Sequence, residues 1–263
     1  MTHDGSSLKA PNKLIHALPL GLADEPPKDT LEEFKEWFPK GLLKKTLPSK
    51  RPPRYTAKHD TLDKPHDLGC MQHIDVAFYY LRKKIRQFPE LEQRKVTTVD
   101  TFFPAKVRSL WTVYQSAPDK FNWGCCDSIF RIMLGVRVQS GASWFDVNTV
   151  LMPIHFGDLK HWALVKLELT NWTIEFKLRD PPGNYPIPVT IMKDIPQQAN
   201  GGDCGMFTIK YAECLIEGRD VRYWVIDARM QIFREWLACY LWAYSKRKLD
   251  QTYKSDEDEE TDF

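Results

Sequence analysis

The chain has 263 residues, 43% hydrophobic and 13% aromatic, enough to bury one sizeable core and carry tails besides. The formal net charge is only +2 but uneven: residues 40–58 hold seven Lys and Arg with no acid, and the chain closes on the acidic run "SDEDEETDF". Both runs read as solvated tails, so nucleic acid is not an expected partner. With no apolar stretch of about eighteen residues and no charged-then-apolar leader, neither membrane insertion nor secretion is indicated, and an intracellular protein, nuclear or cytoplasmic, is expected.

Residues 1–60, with "DEPPKDT" and "LPSKRPPRY", are too rich in Pro and Lys for a core and read as a poorly ordered basic extension. Its one regular candidate is a short amphipathic piece around Leu31 to Phe38. The domain, residues 61–248, starts with "DLGCMQHIDVAFYYLRKKIRQFP", where Ile74, Phe78 and Leu81 share a helical face and Pro89 ends the run. "VTTVDTFF" precedes a helical stretch through Trp111 and Tyr114, while "DSIFRIML" (Asp127 to Leu134) fits helix and strand equally. Strand signals follow: "NTVLMPIH" as a buried strand, "HWALVKLEL" as an alternating one, and "WTIEFKL" as its hairpin partner. Beyond Cys204 the period becomes helical through Phe207, Tyr211 and Leu215 to Gly218. Asp227 is placed to cap a last long helix through Met230, Phe233, Leu237 and Leu241, and residues 249–263 form the acidic tail. Helices first, a mostly antiparallel sheet in the middle and helices last give an α+β order.

The six cysteines (Cys70, Cys125, Cys126, Cys204, Cys214, Cys239) lack the paired spacing of a tetrahedral zinc site, so no metal and no cofactor are expected. Cys214 and Cys239 fall inside apolar helical patterns and read as small buried hydrophobes. Cys204 does not. It stands in "QQANGGDCGMF" (Gln197 to Phe207), where a thiol would open a helix at the positive end of its macrodipole, a position that favours the nucleophilic thiolate. Gly201, Gly202 and Gly205 leave room for a substrate backbone, and the Gln198 side-chain amide could join a backbone N–H as oxyanion donor. A glycine turn that merely leads into a helix accounts for the same stretch. His161, at the very start of an alternating strand, is positioned as the base a thiol nucleophile needs, with Trp162 as a flat apolar wall beside it.

"HWALVKLEL" followed by "IPQQANGGDCGMF" resembles the catalytic core of the ubiquitin-like-protein (SUMO) cysteine proteases. "HIDVAFYYLRKK", "TTVDTFF" and "VLMPIH" resemble the plant and transposon-associated version of that domain. The resemblance implies a papain-like α+β fold, Cys204 as nucleophile, His161 as base, and Gln198 with the Cys204 backbone as oxyanion hole. It also implies a ubiquitin-like modifier and its conjugates as partners, with a Gly-Gly terminus threaded under aromatic side chains such as Trp162.

Two stretches depart from the family. "LGCMQ", Leu68 to Gln72, replaces a Trp-Leu-Asn-Asp-like segment, and the triad acid expected seventeen positions after the histidine is Leu178. Asp180, two residues on, lies on the same strand face. If Thr170 and Asn171 form a two-residue turn, His161 pairs with Asp180 at about 5 Å between Cβ atoms. The other register pairs His161 with Leu178 and is equally apolar, and Asp180 also fits the start of the "DPPGNY" turn. The function expected is peptidase or isopeptidase cleavage of SUMO-like modifiers after Gly-Gly. The alternative is a catalytically degraded member acting as a modifier- or partner-binding module.

Overall fold

The computed structural model describes residues 26–41, 70–169, 190–199 and 201–250. Helix α1 spans Lys28–Gly41, α2 Cys70–Gln87, α3 Pro89–Glu92, α4 Phe102–Ser116 and α5 Asp127–Met133. Three strands, β1 (Val96–Thr98), β2 (Thr149–Phe156) and β3 (His161–Glu168), are followed by α6 (Cys204–Glu217), α7 (Val221–Trp224) and α8 (Met230–Asp250). The helices and strands expected from these stretches are present, with observed bounds 70–87, 102–116, 149–156, 161–168, 204–217 and 230–250, and "DSIFRIML" is resolved as helix over Asp127–Met133. Strand β1, too short to show a period, went unread. The expected partner strand "WTIEFKL", with Leu178 and Asp180, lies outside the described residues.

The described sheet has the order β1-β2-β3. β1 runs parallel to β2, and β2 pairs antiparallel with β3 in a register that sets His155 opposite Trp162 and Phe156 opposite His161. A strand's side chains alternate between faces, so this sheet divides two cores. Leu151 and Trp162 join the larger one, built with α2, α6 and α8 from residues such as Phe78, Leu81, Phe207, Met230 and Phe233. Val150 and Leu169 join the smaller one, built with Phe103, Ile132, Val138 and Trp144.

Helix α1 does not stand apart from the domain. Its Phe34, 2% exposed, lies 5.8 Å from the Trp242 ring of α8, with Trp37 5.6 Å from the same ring and Lys35 paired to Glu235 at 2.9 Å. The amphipathic pattern around Leu31 to Phe38 thus marks a docked face.

Charges inside the larger core tie α2 to α6. The Lys84 ammonium, with a fully buried side chain, bonds Glu213 at 3.2 Å and Glu217 at 2.5 Å. Lys210 also pairs with Glu213, and Arg219 with Glu217 at 2.8 Å. Burial pushes the Glu217 carboxyl up, with Lys84 pulling the other way. Lys84→Met deletes two charged hydrogen bonds but leaves Glu213 paired with Lys210 and Glu217 with Arg219. A hydrogen bond to a charged group contributes about 1.5–3 kcal/mol. Lys84→Met should therefore lose about that much stability in chemical denaturation at pH 7, and a loss below about 1 kcal/mol would show Lys84 to be energetically idle.

Candidate functional site

The site lies where α6 meets the start of β3. Cys204 is the first residue of α6, and Gly218, at φ 71°, closes the helix in the left-handed conformation that glycine adopts at little cost. His161 is the first residue of β3, directly after the turn 157–160 that joins it to β2. α6 packs against β3, α2 and α8, which brings the helix N-terminus and the strand start to one edge of the fold.

Gln198 joins the two. Its Oε1 accepts the backbone N–H of Asp203 at 3.1 Å, and because a backbone N–H can only donate, this fixes which end of the carboxamide is oxygen. The Nε2 then lies 3.5 Å from His161 Nδ1. An amide hydrogen needs a lone pair to bond, so this contact is a hydrogen bond in the tautomer that leaves Nδ1 unprotonated. Among the described residues this carboxamide is the polar partner of His161. Asp203, bonded at the other end, immediately precedes Cys204.

The loop carrying Gln198 is tied from outside at three points. The Tyr211 hydroxyl, whose pKa burial pushes up to about 12, donates to Pro196 O. Ala199 N–H donates to Asp227 Oδ1 at 3.1 Å, and the Asp203 carboxylate is ion-paired with Arg234 of α8. Asp227 is therefore not the helix cap expected from the sequence. A 3₁₀ turn over Asp227–Arg229 leads into α8, and the carboxylate accepts from the loop instead, a tertiary donor having outcompeted the local ones.

The other expected site residues are placed as follows. Trp162 is 5% exposed: its ring lies 4.6 Å from that of His155, and a Cβ on Gly205 would sit 3.8 Å from its Cδ1, so the indole packs between β2 and the first turn of α6 rather than standing as an open wall. A Cβ on Gly201 would meet nothing within 4 Å, so packing does not require that glycine. Cys204 is 8% exposed. Cys214 and Cys239 are buried with pKa values pushed up to about 11 by burial, as expected of core thiols.

A helix that opens on Cys204 and a strand that opens on His161 thus meet at one edge of an α+β fold. Residues 69–177 and 177–243 match the Ulp1 protease family, C-terminal catalytic domain, and the chain belongs to that family. It is 26% identical over 126 residues to sentrin-specific protease 2 of Rattus norvegicus, covering 38% of this chain and 21% of that protein. To sentrin-specific protease 5 of Homo sapiens it is 24% identical over 163 residues, covering 49% of this chain and 21% of that one. The match thus spans about a fifth of the length of these relatives. The solved structure of SUMO protease Ulp1 with its catalytic cysteine oxidized to a sulfinic acid superposes with a TM-score of 0.48 at 17% identity, over 85% of this chain and 99% of that one.

The Gly205 surroundings generate a test. A Cβ there would meet Ile74 Cδ1 at 3.6 Å and Trp162 Cδ1 at 3.8 Å, both ordinary contacts. Gly205→Ala should therefore leave stability within about 1 kcal/mol of the parent, with a gain in helix propensity offsetting any crowding. Thermal unfolding measures this, and a loss above about 2 kcal/mol would show that the glycine is there for packing rather than for ligand approach.

Proposed function

We propose that the chain is a cysteine-type peptidase or isopeptidase that cleaves a SUMO-like modifier after its C-terminal Gly-Gly. Support comes from the Gln198 carboxamide, held by Asp203 N–H at one end and against His161 Nδ1 at the other, beside a cysteine at a helix N-terminus. His161 Nδ1 takes the Cys204 proton, and the thiolate attacks the carbonyl carbon of the terminal glycine. Once Nδ1 carries a proton it no longer accepts from Gln198, which leaves the amide hydrogens for the developing oxyanion, with a backbone N–H at the α6 N-terminus as second donor. The imidazolium protonates the leaving amine, and water hydrolyses the thioester to regenerate the thiol.

A Gly-Gly terminus suits a cysteine that is only 8% exposed, because residues without Cβ atoms are the thinnest a chain can offer. Asp180 is the proposed orienter of the imidazole, two residues beyond the family position. Substrate contacts are proposed for Trp162, Gly201, Gly202 and Gly205. The second reading, a binding module that retains the modifier without cutting it, is favoured by Leu178 at the acid position of the family.

Turnover on a modifier–lysine conjugate separates the readings. Removing one oxyanion donor costs about 10²–10³ in rate with little effect on folding. Gln198→Ala should thus be folded and slowed by that factor, and a rate equal to the parent's would remove Gln198 from the machinery. Losing the group that orients a catalytic imidazole costs up to about 10⁴ in a serine triad, and a thiolate at a helix N-terminus depends on it less. Asp180→Asn should accordingly slow turnover at least tenfold, about 1.4 kcal/mol of barrier, while Leu178→Asp adds little. A strong gain from Leu178→Asp with no loss from Asp180→Asn would identify a degraded enzyme and favour the binding module.

A further inference from the structure

The residue before the candidate nucleophile carries a full negative charge, and the fold does something specific with it. Asp203 occupies the N-cap position of α6 at φ −99° and ψ 0°, yet makes no side-chain cap hydrogen bond. An N-cap Asp ordinarily accepts from the N–H groups of the first turn, a contact worth about 1 kcal/mol. Here the carboxylate is instead ion-paired with Arg234, four residues into α8, and the Asp203 side chain is only 9% exposed. Arg234 itself is braced by a 3.0 Å hydrogen bond from its guanidinium to Gln231 Oε1.

We propose that Arg234 is a positioning residue whose task is to hold the Asp203 carboxylate off the N-terminus of α6. The inference rests on the proposed peptidase function. A capping carboxylate would accept from the N–H of Gly205 or Met206 in the first turn, and would set a negative charge beside the thiolate that the helix N-terminus favours. With Arg234 present, the Asp203 backbone N–H still holds Gln198 at 3.1 Å while its side chain is turned away. One residue thereby orients the oxyanion donor with its backbone and leaves the helix end open with its side chain. Titratable and charged groups on elements packed around this helix end include His161 on β3, His155 on β2, His73 and Asp75 on the first turns of α2, and Asp227 and Arg229 on the turn leading into α8. Asp75 is already engaged, accepting from Thr101 N–H at 2.7 Å and from its hydroxyl at 2.8 Å.

The test is the pH profile of Cys204 alkylation by chloroacetamide, followed at that residue by peptide mapping, alongside turnover on a modifier–lysine conjugate. In Arg234→Gln the released carboxylate can swing onto α6. Alkylation at pH 6.5 should fall at least about fivefold with the profile displaced to higher pH, a size set by one charge brought within a few ångströms of the thiolate. Turnover should fall with it. The double change Arg234→Gln with Asp203→Asn removes that charge and should restore the parent profile to within about twofold, and Arg234→Lys should retain it. An Arg234→Gln profile that superimposes on the parent's, or a double variant as slow as Arg234→Gln, would overturn the proposal. If Arg234→Gln alone does not fold, the double variant, with no stranded charge, decides: a parent-like profile supports the proposal and a displaced one overturns it. Absence of turnover in the parent with these alkylation shifts intact would refute the peptidase function while upholding the role of Arg234.

Discussion

The hydrogen bond from Asp203 N–H to Gln198 Oε1, 3.1 Å long, turns a glycine-rich loop and a helix end into a single site. Without it the carboxamide could rotate, and neither its distance from His161 Nδ1 nor its donor end would be defined. With it, the amide nitrogen faces the imidazole 3.5 Å away, and the residue next in sequence is the thiol. The contact lies within a peptide of six residues, but its geometry is imposed from further off: by Tyr211 on Pro196, Asp227 on Ala199 and Arg234 on Asp203. The loop is shaped from α6 and from the start of α8, so the C-terminal helix belongs to the site although it contributes no proposed reacting group.

The same economy governs the larger core. A buried ammonium between two carboxylates would be a liability if any partner were missing, yet Lys84, Glu213, Glu217, Lys210 and Arg219 form a connected set between α2 and α6. Such sets are weak sources of stability but fix relative position, since any sliding of one helix along the other breaks charged hydrogen bonds in a dry environment. The first turn of α6 meets Ile74 of α2 and Trp162 of β3 through Gly205, so its placement against both sets where Cys204 stands.

Much of this was legible in the sequence because it repeats. The 3.6-residue spacing of Ile74, Phe78 and Leu81 and of Phe207 and Tyr211 gave α2 and α6, and the alternation from His161 gave β3. Cys204, His161 and Gln198 were legible from residue types and spacing, helped by a family resemblance. β1 was not, for three residues show no period. The amphipathic pattern of α1 was visible but its partner was not, because Trp242 lies over two hundred residues away in sequence. Asp227 misled because it has the chemistry of a helix cap but is captured by Ala199 N–H, a group brought close only by folding. Arg234 left no signal at all, being an ordinary-looking charge in a long helix.

Covalent trapping tests the central claim most directly. The chain would be incubated near neutral pH with a SUMO-like modifier whose C-terminal glycine carries a thiol-reactive electrophile, and the product read by intact mass and peptide mapping. The account predicts one modifier per chain, attached at Cys204, with the exposed Cys125 unmodified. Attachment at Cys125, or a folded chain that acquires no modifier at Cys204, would contradict it.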